Sequence, residues 1–170
     1  MNCVGKPIGT VMPEAVALRG IRWQLFATLT FAEDRLPRGL RVKRLFQWLR
    51  HLNGAKTPVP WKRLRWFARW ETGGRIGRGH YHLCIAGLQP ECVNVTFAHA
   101  AERAWLRFAA SRGEVALWNP ALDGAGYALK LPETIAGKLA IEQAQIGCGW
   151  EDCEPMLSDS VRDAIRRGPM

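Results

Sequence analysis

Residues 64–86 read LRWFARWETGGRIGRGHYHLCIA, and this stretch decides the fold. In its first part, side chains alternate between two faces of a predicted strand, with Trp66, Ala68 and Trp70 on one face and Arg65, Phe67, Arg69 and Glu71 on the other. A glycine-rich turn, TGGRIGRG, follows, and residues 80–86 form a second apolar run. We therefore predict an antiparallel hairpin of two strands.

Further strands and helices are predicted on both sides of this hairpin. Upstream, QLFATLTF at 24–31 is typical of a strand, and 42–52 has apolar residues at helical spacing. Downstream, 95–111 is a predicted helix and 114–118 a short strand. Helices are also expected at 124–131, ended by Pro132, and at 134–145.

This succession predicts an α+β domain whose central antiparallel sheet has about five strands flanked by helices. We place an N-terminal extension at 1–21, the domain at 22–146 and an acidic, polar tail at 147–170.

Composition excludes several classes of protein. The 170 residues carry a formal net charge of +9, and 48% of them are hydrophobic, which excludes disorder. No apolar run is long enough to span a membrane, and the N-terminus lacks the apolar core of a signal peptide. Five cysteines, an odd number at irregular spacing, favour a reduced, cytoplasmic protein.

The positive charge is concentrated in one stretch. Between Asp34 and Glu91, thirteen Lys and Arg residues accompany a single acid, Glu71. Such a field suits a polyanion, and the interleaved Trp and Phe suit stacking on bases of single strands. The alternative is a solvated surface over an aromatic core, and a membrane surface is less favoured. The candidate DNA-binding residues are Lys62, Arg65, Arg69, Arg75 and Arg78.

His80 and His82 are the first candidates for chemistry. Residues i and i+2 of a strand point to the same face, so both imidazoles converge. Glu71 lies on the paired strand and is a candidate third metal ligand, although a surface histidine pair and a salt bridge from Glu71 to Arg69 or Arg75 are the simpler interpretations. Nitrogen and oxygen ligands without thiolate favour Mg²⁺ or Mn²⁺, with Zn²⁺ as an alternative.

Tyr127 and Lys130, in GAGYALKLPET, form a second constellation. On a helix they share a face, so a tyrosine hydroxyl could attack phosphorus beside a neutralising ammonium. Taken alone, the pair is better explained as a buried Tyr and a solvent-facing Lys. Cys148 and Cys153 lack two further ligands nearby, which argues against structural zinc.

Taken in order, these motifs resemble the HUH endonuclease superfamily, specifically the rolling-circle replication initiator (Rep) proteins of phages and plasmids. FATLTF at 26–31 is similar to the first-strand motif, HYHL at 80–83 to the His-hydrophobic-His motif, and YALK at 127–130 to the Tyr-x-x-Lys motif. The resemblance spans about 22–135. Each motif alone is weak, but the three in this order are fairly specific.

The resemblance implies a metal-dependent enzyme that nicks and joins single-stranded DNA. Glu71, His80 and His82 would hold Mg²⁺ or Mn²⁺, and Tyr127 would attack the scissile phosphate to give a 5′-phosphotyrosine and a free 3′-OH. Lys130 would help to place the metal or phosphate. Thr28 and Thr30 share a strand face and could line the site. The expected partner is single-stranded DNA or an origin hairpin, with no membrane partner.

Some relatives carry two tyrosines in the last motif, whereas position 131 here is Leu131. A single tyrosine implies that strand closure needs a second protomer, hence a homodimer, or another nucleophile. We also expect no fused helicase domain, which makes a host helicase a candidate partner. The alternatives are a single-tyrosine transposase of the same superfamily and a non-catalytic module that binds single-stranded nucleic acid.

Overall fold

The computed structural model describes residues 18, 20–33, 36–54, 64–72, 78–122, 124, 156–157 and 159–167. Within these residues the strands and helices are, in chain order, β1 (Leu25–Thr30), α1 (Arg38–Gly54), β2 (Arg65–Thr72), β3 (Gly79–Ala86), α2 (Val95–Ala109), β4 (Gly113–Leu117), β5 (Met156–Leu157) and α3 (Asp159–Arg167). This succession confirms the predicted α+β class.

The strands form one antiparallel sheet in the order β4-β1-β3-β2-β5. β2 and β3 pair along their whole length, with Glu71 opposite His80 and Trp70 opposite Tyr81, which confirms the predicted hairpin. β1 lies between β3 and β4, pairing with both. The short β5 adds to the outer edge of β2, at Phe67 and Ala68.

One face of the sheet is covered by α1 and α2, and we call it the helix face. Leu45, Trp48, Leu49 and Leu52 of α1 pack there with the alanines and Trp105 of α2. The Trp48 indole N–H donates to the Ala101 carbonyl at 2.9 Å, and that of Trp105 donates to the Thr30 carbonyl at 2.8 Å. The buried indoles thus join the two helices to each other and to β1 while keeping their polar atoms paired.

The helices begin where local chemistry supplies a start. α1 starts four residues before the predicted range because Pro37 precedes it and its carbonyl accepts from the N–H groups of Leu40 and Arg41. α2 begins at Val95, as predicted, because the Asn94 side chain accepts from the Phe97 N–H at 2.8 Å. It ends at Ala110, which adopts a left-handed conformation with φ of 51°.

The opposite face carries Thr28, Arg69, Glu71, His80 and His82 and is called the site face. Beside these residues it holds a smaller apolar cluster, which includes Phe67, Cys84 and Val161 of α3. Tyr81 points instead to the helix face, where it is 2% exposed, as the alternation predicts. The C-terminal segment, which the sequence pattern left unplaced, therefore contributes an edge strand and a helix side chain to this sheet.

Two predicted helices, 124–131 apart from Gly124 and 134–145, lie outside the described residues. In the part of the chain that is described, no helix is both long and apolar enough to cross a membrane.

Candidate metal centre

The pairing of β2 with β3 assembles three side chains at one end of the site face. Glu71 is directly opposite His80, and His82 follows on β3 two residues later, on the same face. The sequence folds locally this way because both strands alternate between apolar helix-face residues and polar site-face residues.

The ligating atoms of these three residues lie within 4.8 Å of one another. Nε2 of His80 and Nε2 of His82 are 3.0 Å apart. Glu71 Oε2 lies 3.7 Å from His80 Nε2 and 3.4 Å from His82 Nε2. The His82 side chain is 5% exposed, whereas those of His80 and Glu71 are 17% and 16% exposed, so the cluster is accessible from the side of His80 and Glu71.

The outer nitrogens of both rings have hydrogen-bond partners. His80 Nδ1 is 3.2 Å from the Arg78 carbonyl, which can only accept, so this nitrogen carries the proton. His82 Nδ1 is 3.2 Å from the Thr28 hydroxyl of β1. With Nδ1 protonated, a neutral imidazole presents the lone pair of Nε2, and the two Nε2 atoms face each other.

The residues present fit a divalent cation. Two facing nitrogen lone pairs 3.0 Å apart repel each other unless a proton or a cation lies between them. Metal–nitrogen bonds of about 2.0–2.1 Å at nearly a right angle place two nitrogens about 3 Å apart, and a carboxylate oxygen completes the donor set. Two imidazoles and one carboxylate leave further coordination positions for water or phosphate oxygen.

β1 supports His82 in a second way. The Phe26 ring stacks on the His82 ring with centroids 5.8 Å apart and an interplanar angle of 25°. Phe26 and Thr28 therefore contact one imidazole on its face and on its edge. The sequence predicted Thr28 near the site but not this hydrogen bond, because the bond depends on the β1–β3 register, in which Thr28 is opposite His82.

Thr30 has a different role from the one its strand face suggested. Its hydroxyl is 2.9 Å from the Ser111 hydroxyl and also bonds to the Arg112 carbonyl. It therefore ties β1 to the segment before β4 and is not hydrogen-bonded to either histidine in the described contacts.

The candidate DNA-binding residues are partly placed. Arg65 and Arg78 are exposed, and Arg69 is half-buried opposite His82 in the β2–β3 register. Arg65 and Arg69 belong by alternation to the site face, so two positive charges share the face of the candidate metal centre. Arg78 directly precedes β3. Lys62 and Arg75 lie outside the described residues.

The other members of the basic stretch are distributed over α1. Arg41 is one of them, but it is buried, with its guanidinium 4.0 Å from the centre of the Trp70 ring. It donates to the Leu36 carbonyl at 3.0 Å. Arg41 thus stabilises the helix face and is not part of a DNA-binding surface.

Tyr127 and Lys130 lie outside the described residues. The chain that leads to them is placed by Gly124. A Cβ at this glycine would lie 2.8 Å from the Trp118 indole and 3.0 Å from the Phe26 ring, the same ring that stacks on His82. The described chain therefore approaches the site three residues before Tyr127.

A family model for the ORF2 type of replication-associated protein matches residues 24–131. The chain belongs to this family of replication-associated proteins. The match extends from β1 through the two histidines to Tyr127 and Lys130, and it confirms the resemblance to replication initiators at the level of the family. Searches of curated proteins and of solved structures gave no match.

Proposed function

We propose that this replication-associated protein is an HUH endonuclease that nicks and joins single-stranded DNA to initiate rolling-circle replication. The observation that carries the proposal is the convergence of Glu71, His80 and His82 on one sheet face. Membership of a replication-associated family supports initiation of replication over transposition.

Glu71, His80 and His82 would hold Mg²⁺ or Mn²⁺, with imidazole nitrogens and one carboxylate oxygen as donors. When bound, such an ion acts as a Lewis acid that polarises the scissile phosphate and orients it. Thr28 and the Arg78 carbonyl fix the histidine rings, and Arg65 and Arg69 attract the DNA backbone to the same face.

Tyr127 is the proposed nucleophile. Its hydroxyl oxygen would form a bond to phosphorus while the bond from phosphorus to the 3′ oxygen breaks, and the departing 3′ oxygen would take up a proton as a free 3′-OH. The 5′ phosphate would stay on Tyr127 as an ester, and attack by a 3′-OH would reverse the step and join the strands. Lys130 would neutralise charge on the phosphate.

Covalent reach supports this assignment. A chain extends by at most about 3.6 Å per residue, so the Cα of Tyr127 lies within about 11 Å of that of Gly124. Gly124 contacts Phe26, which stacks on His82. A side chain on this segment can therefore reach a phosphate bound at the candidate metal centre.

Formation of a covalent DNA adduct tests the proposal. A pool of random-sequence, labelled single-stranded oligonucleotides is incubated with the protein and Mn²⁺, and denatured products are examined by gel and peptide mass spectrometry. We expect a DNA-linked peptide that contains Tyr127. Tyr127→Phe should bind the pool but give no adduct, because phenylalanine has no nucleophilic oxygen.

The chain has only two tyrosines, which provides a matched control. Tyr81→Phe removes the same hydroxyl from the helix face and should keep adduct formation. The double variant His80→Ala/His82→Ala should bind DNA and form no adduct. Adduct from Tyr127→Phe would contradict the nucleophile assignment, and DNA binding without any wild-type adduct would favour the non-catalytic binding module.

A homodimer and a host helicase stay proposals that follow from the single tyrosine and from the role in replication. Strand closure by one tyrosine needs a second nucleophile, and a second protomer would supply one. Unwinding of a duplex by another protein would supply the single strand.

A further inference from the structure

We propose that Thr28 is a positioning residue that fixes the His82 ring for metal binding. The inference rests on the proposed metal site and assigns to the first-strand motif a role in holding one of its ligands. Thr28 Oγ1 is 3.2 Å from His82 Nδ1, and the two residues are directly opposite in the β1–β3 register.

The two histidines are oriented by different means. His80 bonds to the carbonyl of Arg78, two residues earlier in the same chain segment. His82 instead depends on a side chain 54 residues away on another strand. Any residue at 78 supplies a backbone carbonyl, whereas only a side chain with a hydrogen-bonding atom can serve at 28, which makes the His82 contact sensitive to substitution.

The hydrogen bond selects the tautomer that a metal requires. A metal-bound Nε2 must present its lone pair, so in neutral His82 the proton resides on Nδ1 and is donated to the Thr28 oxygen. Phe26 restrains the same ring by stacking on its face. With the ring face held by Phe26 and its edge by Thr28, rotation of the imidazole away from His80 and Glu71 is opposed.

Thr28→Val tests this role with little change of shape. Valine matches threonine in volume and β-branching but lacks the hydroxyl, so the strand is expected to persist. Thr28→Ser keeps the hydroxyl and serves as the conservative rescue. Thr30→Val is the matched control, because it makes the same change on the same strand face at a hydroxyl that bonds to Ser111 instead of a histidine.

The measurement is Mn²⁺ affinity of the full chain, by calorimetry or electron paramagnetic resonance, without DNA. We expect Thr28→Val to weaken Mn²⁺ binding by about 10–100-fold, the usual effect of losing an outer-shell partner. Thr28→Ser and Thr30→Val should bind like the wild type. Wild-type affinity in Thr28→Val would overturn the inference and leave the metal site intact.

Two other results would also overturn it. An equal loss in Thr30→Val would show that the effect belongs to β1 as a whole, and failure of Thr28→Ser to bind would show that the hydroxyl is not responsible. Absence of Mn²⁺ binding by the wild-type protein would overturn the metal site and this inference together.

Nitrogen-15 NMR of the histidine rings in the metal-free protein gives an independent readout. We expect the Nδ1–H tautomer for His82 in the wild type and in Thr30→Val, and a shift away from it in Thr28→Val. A purely structural role would lower the unfolding free energy of Thr28→Val without moving the tautomer, and that outcome would contradict the proposal.

Discussion

At the scale of single residues, Gly79 shows why the segment before the two histidines is glycine. A Cβ at this position would lie 2.0 Å from the Trp70 indole. That indole cannot move aside, because it packs against Phe31 and Tyr81 and under the Arg41 guanidinium. The absent side chain is thus a packing requirement of the hairpin, one register step from Glu71 and His80.

Gly79→Ala is therefore expected to destabilise the protein by about 2–3 kcal/mol or more, as overpacking of a core does. The free energy of unfolding from urea titration measures the effect. Gly39→Ala is the control, since nothing lies within 4 Å of a Cβ there and alanine favours the helix by up to about 1 kcal/mol. Equal stability of Gly79→Ala and the wild type would show that Trp70 can rearrange.

At the scale of elements, Glu102 joins α2 to β4. Its carboxylate accepts from the Val115 N–H at 2.9 Å and is 3.0 Å from His99 Nδ1. Partial burial raises the pKa of Glu102, but the hydrogen bonds from His99 and Val115, together with the charges of His99 and Arg103, outweigh it and hold the pKa below its usual value. The ionised carboxylate therefore favours the folded protein.

Glu102→Gln should lower the unfolding free energy at pH 7 by about 1 kcal/mol or less, since the side chain is 28% exposed. A depressed folded-state pKa stabilises above the unfolded value of about 4.3, and this contribution disappears as the pH falls through the folded pKa. The difference between wild type and variant should thus shrink below about pH 5. Urea titrations across pH check this, with the exposed Glu91→Gln as the charge control; a difference independent of pH would contradict it.

The same scale shows how far the sequence predicts this structure. Alternation in β2 and β3 correctly assigned Trp70 and Tyr81 to one face and Glu71, His80 and His82 to the other, because a period of two is a local property of the chain. The contact from Thr28 to His82 was not predicted in detail, because it needs a register between strands 54 residues apart. β5 has only two residues, too few for any periodicity to be detected.

At the scale of the whole molecule, the sheet separates the positive charges into two groups with different expected roles. Arg65 and Arg69 lie on the site face, whereas exposed Arg50 and Arg107 project from the helices that cover the opposite face. A field that merely raises affinity for any polyanion would depend on net charge alone. A defined path for single-stranded DNA across the candidate metal centre would depend on which face the charges occupy.

Paired substitutions distinguish these cases because they remove equal charge from the two faces. Arg65→Ala/Arg69→Ala should weaken binding of a labelled single-stranded oligonucleotide and reduce the slope of log affinity against log salt by up to about 0.7 per lost phosphate contact. Arg50→Ala/Arg107→Ala should leave that slope close to the wild-type value. Fluorescence anisotropy over a range of salt concentrations measures both. If the two double variants lose slope equally, attraction by net charge is sufficient, and the site face has no special claim on the DNA.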